Sequence, residues 1–177
     1  MKRLEPGVRR LADKMKIRCR SKGDDFWVQA LLLERWGGTD MVINGEKVDL
    51  MASPALVAGI KDGVITYRRK GSSAELLSLD AAILGQGIGT GLVRELITRL
   101  GVQGVCRLWV TTTNDNLSAL RFYQSRGFRL MRLRPNAVEQ ARQIKPSIPL
   151  VGEHGIPIRD ELDLCFCLAT DGSFNTL

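Results

Sequence analysis

The residues best suited to chemistry lie between Ala74 and Leu100 of the 177-residue chain. A strand-type run, Glu75 to Ala82, enters a loop with glycine at 85, 87 and 89. A helical pattern follows, in which Ile88, Leu92, Val93, Leu96, Ile97 and Leu100 recur at three- and four-residue spacing and form one apolar face. A glycine-rich loop at a helix start is a ready anion site. The first turn has unpaired N–H groups, the dipole favours negative charge, and glycine lets a phosphate approach the backbone. The same glycines can also serve only a tight strand-to-helix turn. A P-loop is excluded, because Gly89 is followed by Thr90 and Gly91 with no lysine. The dinucleotide fingerprint G-x-G-x-x-G is excluded as well, because Thr90 or Leu92 takes the place of its last glycine.

A second cluster runs from Asn116 through Ala119, Phe122 and Tyr123 to Gly127-Phe128, after a run, Val105 to Thr112, that alternates in strand fashion. Together the two clusters resemble motifs A and B of the GNAT superfamily of acetyl-CoA-dependent N-acetyltransferases. Motif A is Arg/Gln-Gly-x-Gly-x-Gly/Ala with a leucine three residues later; Gly85, Gln86, Gly87, Ile88, Gly89 and Leu92 fit it. Leu84 stands where the family usually has Arg or Gln, which takes away a side-chain contact to pyrophosphate and leaves the backbone cradle. Motif B, N-x-x-A-x-x-[FL]-Y-x-x-x-G-F, is matched from Asn116 to Phe128. The stretch Ala137 to Leu162 resembles a bacterial branch of uncharacterised members.

The resemblance implies an α/β (α+β) fold with a mixed central sheet of about six to seven strands, splayed between the fourth and fifth and flanked by helices. It implies acetyl-CoA as cosubstrate, with its pyrophosphate over Gly85, Gln86, Gly87, Ile88, Gly89 and Thr90. The pantetheine arm would follow the fourth-strand edge at Leu79, Asp80 and Ala81. A backbone N–H at or near Leu79 would face the thioester oxygen as an oxyanion donor. Asn116 would bond the pantetheine amide, and Tyr123 would be the general acid for the departing thiolate. Outside the motif, Tyr123 would read as a half-buried residue packing its helix. For the base, Glu75 comes first, sharing a strand face with Leu77 and Leu79. Asp80 is second and faces the other way unless a bulge intervenes; Asp160 and Glu161 follow, and a water chain can also carry the proton.

The activity so implied is direct acetyl transfer to a primary amine of a small molecule, peptide or protein. Two other classes stay open: a non-catalytic acyl-CoA sensor with the same fold, and a basic nucleic-acid-binding module. Asn116 and Tyr123 favour the enzyme. The net charge of +7, from 26 basic and 19 acidic residues, suits a polyanionic cofactor, solubility or nucleic acid. Without an aromatic-interleaved basic patch, nucleic acid is the weaker reading. No apolar run is long enough to span a bilayer, and the start has no signal-peptide pattern. Cysteines 19, 106, 165 and 167 lack metal-site spacing, and Cys165-Phe-Cys167 reads as core thiols on one strand face. The expectation is a cytoplasmic protein without metal, with a homodimer permitted.

The elements that must position these residues follow from pattern. Residues 1–15 read as a basic tail and 16–177 as a single domain. Ile17 to Arg20 reads as a first strand. Asp24 or Asp25 caps a helix, Phe26 to Arg35, closed by Gly37-Gly38. Asp24, Glu34, Trp36 and Asp40 are acceptor-side candidates from the resemblance. Asn44-Gly45 and Asp62-Gly63 predict two tight hairpins. Phe128 to Leu133 and Glu161 to Leu168 read as strands, with a short helix at Ala137 to Ile144. The acceptor pocket is expected between Phe26 to Asp40, the strand end near Tyr67, and the loop His154 to Glu161. One or two of Arg159, Asp160 and Glu161 should aim inward, whereas His154 reads as a loop histidine.

Overall fold

Residues 15–168 are described by a computed structural model. The first strand, β1 (Ile17–Cys19), precedes a 3₁₀ turn at Lys22–Asp24 and helix α1 (Asp25–Trp36). A meander follows: β2 (Asp40–Ile43), β3 (Glu46–Asp49), β4 (Ala55–Ala58), β5 (Gly63–Lys70) and β6 (Ser73–Ala81). Helices then alternate with strands: α2 (Ile88–Val102), β7 (Arg107–Thr113), α3 (Leu117–Gln124), β8 (Arg129–Arg134), α4 (Ala137–Ile144) and β9 (Glu161–Cys167). The basic tail expected over residues 1–15 lies outside the described residues except for Met15, which packs against the core beside α2.

The main sheet has seven strands in the order β1-β4-β5-β6-β7-β9-β8, and β2 and β3 form a separate hairpin sheet. This is the mixed α/β sheet expected. The splay is visible in the pairing. Strand β6 pairs with β5 along its whole length but with β7 only from Ser73↔Arg107 to Leu76↔Val110. Beyond Leu76 the two parallel strands part, and Leu77 to Ala81 lose their neighbour on that side.

One hairpin matches its signal. Asn44 and Gly45 have φ of 54° and 75° and join Ile43↔Glu46, as a type I′ turn needs. Asp62-Gly63 does not make such a turn. The pair Ala58↔Gly63 encloses four loop residues, and the Asp62 N–H bonds back to the Ala58 carbonyl. The left-handed residue is therefore Gly59, at φ 57°. A tight turn does lie one hairpin later, at Gly71-Ser72 between Lys70↔Ser73.

Strand β6 carries a β-bulge that decides which side chains face which layer. Tyr67 pairs with Leu76 but Thr66 with Ser78, so Leu77 is an extra residue. Before it, Ala74 and Leu76 join the core under α2; after it, Leu79 and Ala81 join the same core. Leu77 goes to the opposite core with Val28 and Leu32 of α1. Each layer holds fully buried leucines, such as Leu92 and Leu96 under one face and Leu32 under the other. Truncating one to alanine typically costs about 2–5 kcal/mol.

Candidate active site

A cleft of about 650 Å³ opens where β6 and β7 part, and it passes from the α2–α3 face of the sheet to the α1 face. At one end lies the glycine loop. Gly85 and Gly87 have φ of 81° and 80°, and Gly87 is the N-cap of α2 without any side-chain cap. The first-turn N–H groups therefore have no capping partner. A Cβ placed on Gly85 would meet nothing within 4 Å, so the approach to the loop is open, whereas one on Gly89 would meet the Phe122 ring at 3.3 Å. Gly85, Gly87, Ile88, Gly89 and Thr90 line the cleft; Gln86 is exposed and outside it.

Helix α3 forms a second wall. Asn116 caps it, Oδ1 accepting from the Ala119 N–H at 2.9 Å, which leaves the Nδ2 group available as a donor. Tyr123 lines the cleft and is 6% exposed, and among the described residues none hydrogen-bonds its hydroxyl. Since no buried side-chain polar atom among the described residues is left unpartnered, that hydroxyl opens to the cleft. Burial, aided by the Asp80 charge, pushes the phenol well above its usual range. Tyr123 is thus protonated at neutral pH.

Arg126 is a residue that sequence reasoning missed. Its guanidinium lies 3.5 Å from the centre of the Phe122 ring and donates from Nε and Nη2 to Thr90 Oγ1 at 3.1 and 2.6 Å. A third bond, Nη1 to the Phe122 carbonyl at 2.6 Å, fixes it at the glycine-loop end of the cleft. Burial holds its pKa below the usual arginine value. The available signal was spacing: Arg126 lies one turn past Phe122 and Tyr123, on the face that meets α2.

The parted edge of β6 supplies main-chain donors. The Ser78 N–H points to Thr66 on β5 and the Ala82 N–H to the Asp62 carbonyl. Successive N–H groups of a strand point to opposite edges. Those of Leu79 and Ala81 therefore face the opening, where both residues line the cleft.

The carboxylates are placed differently from their sequence ranking. Glu75 does not line this cleft. Its oxygens accept from Arg68 Nε at 2.7 Å and Asn44 Nδ2 at 3.1 Å, and it borders a smaller groove with Trp109 and Asp163. It shares the α1 side with Leu77 but not with Leu79, because the bulge turns Leu79 to the other core. The bulge also puts Asp80 on the α1 side, where it accepts from the Trp36 indole. Burial pushes the Asp80 carboxyl up and the indole bond partly opposes this. Asp160 turns away to cap the Asn136 N–H at 2.9 Å, and Arg159 lies outside the cleft. Glu161 is the one of that trio that points in, and it is 4% exposed. Arg134 holds its Oε2 at 2.7 and 3.1 Å, and burial pushes its carboxyl above the usual range.

On the α1 side the walls are Trp36, Leu77 and, from β2, Met41, Val42 and Ile43. Of the other acceptor-side candidates, Asp24 is tied to Arg18, Glu34 is exposed, and Asp40 pairs with Lys47 and Lys145. His154 is an exposed turn residue at φ 59°, and Tyr67 is outside the cleft. Among the described residues no group of three His, Cys, Asp or Glu side chains is arranged for a metal ion, and no helix is long and apolar enough to cross a membrane.

A glycine loop at a helix start, a splayed parallel strand pair and a tyrosine-bearing helix surround one cleft, the arrangement of an acyltransferase fold. The profile of the acetyltransferase (GNAT) family matches residues 57–128. The uncharacterized protein YxbD of Bacillus subtilis (strain 168) is 40% identical over 143 residues, 76% of this chain and 87% of that protein. The chain belongs to the GNAT acetyltransferase family. Among solved structures, a GNAT acetyltransferase from Elizabethkingia anophelis with acetyl-CoA bound superposes with a TM-score of 0.69 at 20% identity, covering 88% of this chain and 99% of that one. An IAA acetyltransferase from Bacillus cereus ATCC 14579 gives 0.66 at 24%, over 87% and 99%.

Proposed function

We propose that the protein is an N-acetyltransferase that moves the acetyl group of acetyl-CoA directly to a primary amine. The observation that carries this reading is the convergence on one cleft of the glycine loop, the outward N–H groups of Leu79 and Ala81, and the unpartnered Tyr123 hydroxyl. The residues fit the coenzyme: the space above Gly85 is open, the first turn of α2 has free N–H groups, and Arg126 stands beside them. Arg126 supplies the cation that Leu84 does not. Acetyl-CoA, when bound, supplies the thioester that the amine attacks.

The roles follow the chemistry of the positions. The first-turn N–H groups and Arg126 bind phosphate oxygens. The Ala81 N–H and the Asn116 amide hold the pantetheine arm. The Leu79 N–H donates to the oxygen on which negative charge develops, and Tyr123 gives its proton to the leaving sulfur. The proton path from the amine runs through Glu161 rather than Glu75, because Glu161 lines the cleft while Arg68 and Asn44 hold both oxygens of Glu75. All four cysteines are free thiols, which supports a reducing, cytoplasmic setting. The test is release of free thiol from acetyl-CoA across a panel of amines. Amine-dependent release supports transfer, whereas tight coenzyme A binding with no release from any amine supports the sensor reading.

A further inference from the structure

Within that reading, we infer that the acceptor is a monoamine with a single positive charge on an apolar, alkyl or aryl, body and without a carboxylate. The half of the cleft on the α1 face carries this inference by its walls and its charge. Trp36, Met41, Val42, Ile43 and Leu77 enclose it, so whatever lies beside the thioester contacts apolar groups on several sides. Trp36 is fixed there, because its Nε1 is spent on Asp80 at 3.0 Å, leaving the indole face to its surroundings.

At the floor, Glu161 and Asp163 share one guanidinium. Arg134 Nε and Nη2 donate to Glu161 and Nη1 donates to Asp163 at 2.7 Å. Both carboxylates are buried, at 4% and 6% exposure, and Thr111 donates to Asp163 at 2.8 Å without adding charge. With both carboxylates ionised, two negative charges are set against one positive, and the cluster keeps a net charge of −1. An ammonium next to Glu161 neutralises it. A second carboxylate would enter an apolar space beside an anion. Among the described residues the only cationic side chain lining the cleft is Arg126, at the opposite, glycine-loop end. Among the described residues, the α1 half of the cleft is thus lined by no cationic side chain that could partner an acidic group. Besides Glu161, the carboxylate lining the cleft among the described residues is the exposed Glu153. The extra ammonium groups of a polyamine, like the amides of a peptide, would therefore lie mostly against the apolar walls of Trp36, Met41, Val42, Ile43 and Leu77.

The experiment compares 2-phenylethylamine with phenylalanine, spermidine and a short peptide as acceptors, reading thiol release and product mass, with coenzyme A binding measured by calorimetry on the same protein. The expected result is a kcat/KM for 2-phenylethylamine at least about ten-fold above each comparator. Glu161→Gln should lower that value about ten-fold or more while leaving coenzyme A affinity within about two-fold. Should Glu161→Gln fail to fold, Val42→Lys adds a cation to the apolar wall of a half-exposed strand. It should narrow or reverse the preference over phenylalanine. An equal or better comparator, or an unmoved preference in the variant, overturns the inference. So does coenzyme A binding without turnover of 2-phenylethylamine, which leaves the coenzyme site standing. Failure to bind coenzyme A at all would sink the acetyltransferase reading instead.

Discussion

The Trp36 indole Nε1 donates to both oxygens of Asp80, at 3.2 and 3.0 Å, and so ties the last turn of α1 to the end of β6 at the rim of the cleft. Asp80 is 7% exposed, and burial pushes its carboxyl above the usual range. Replacing Trp36 by Phe leaves a buried carboxylate without this donor, a loss of about 1–3 kcal/mol. Because the folded state favours the protonated form of Asp80, the penalty should shrink as pH falls through its raised pKa. Thermal melts of Trp36→Phe at pH 7 and at mildly acidic pH would check this. A penalty that does not depend on pH would assign the loss to packing instead.

Gly87→Val should weaken coenzyme A binding. Gly87 sits at φ 80°, where an L-residue is strained, and a branched side chain would crowd the cradle. Calorimetry should show at least about a ten-fold loss, with a small drop in melting temperature from the strain. Unaltered affinity would refute the phosphate cradle.

Tyr123→Phe removes a proton donor and almost no packing, since the ring edges onto Phe122 and Phe128 remain. Turnover should fall by about 10²–10⁴-fold under conditions where chemistry limits, with coenzyme A affinity nearly unchanged. A wild-type rate would take Tyr123 out of the mechanism.

Arg126→Met can keep an apolar contact with Phe122 but loses the charge and the guanidinium stack. Coenzyme A affinity should drop about ten-fold or more, and its salt dependence should flatten. Adding Leu84→Arg should recover part of the affinity by returning a guanidinium to the loop from the other side. No loss in the single variant would mean that Arg126 serves only to pin α3 to Thr90.

Acid should find a weak point at Asp24. Arg18 donates to its two oxygens at 2.6 and 2.8 Å, the Ser21 N–H adds 2.8 Å, and these hold the carboxyl far below the usual carboxylate range. The sign follows from the depressed folded pKa: the stabilisation is full above the ordinary value of 3.8 and is lost as pH falls below it. Asp24→Asn should therefore lower the melting temperature at pH 7 and converge with the wild type in strong acid. Parallel curves at all pH values would show that the pair contributes nothing through its charge.

How much of this was legible beforehand depends on the range of the interactions involved. Glycines 85, 87 and 89 ahead of an apolar period of three and four announced the loop and the helix start at Ile88, because strand-to-helix turns are local matters. Asn44-Gly45 announced its turn for the same reason. Asp62-Gly63 misled, since the Ala58 carbonyl captures the Asp62 N–H and moves the left-handed residue to Gly59. The carboxylates could not be sorted from sequence at all. Period-two counting put Glu75 and Leu79 on one face, and only the pairing of β6 with β5 inserts Leu77 as a bulge and reverses the faces beyond it. Glu75 is held by Arg68 on the neighbouring strand and by Asn44 across a hairpin. Glu161 is turned inward beside Arg134 of β8, an edge strand that also brings Asp163 into the cluster. Which of several charged side chains is spent in an ion pair depends on partners on a neighbouring strand, 7 residues away for Glu75 and 27 for Glu161. Local pattern therefore determined the glycine-loop end of the cleft, and the packing of strands against one another decided which carboxylates stand at its other end.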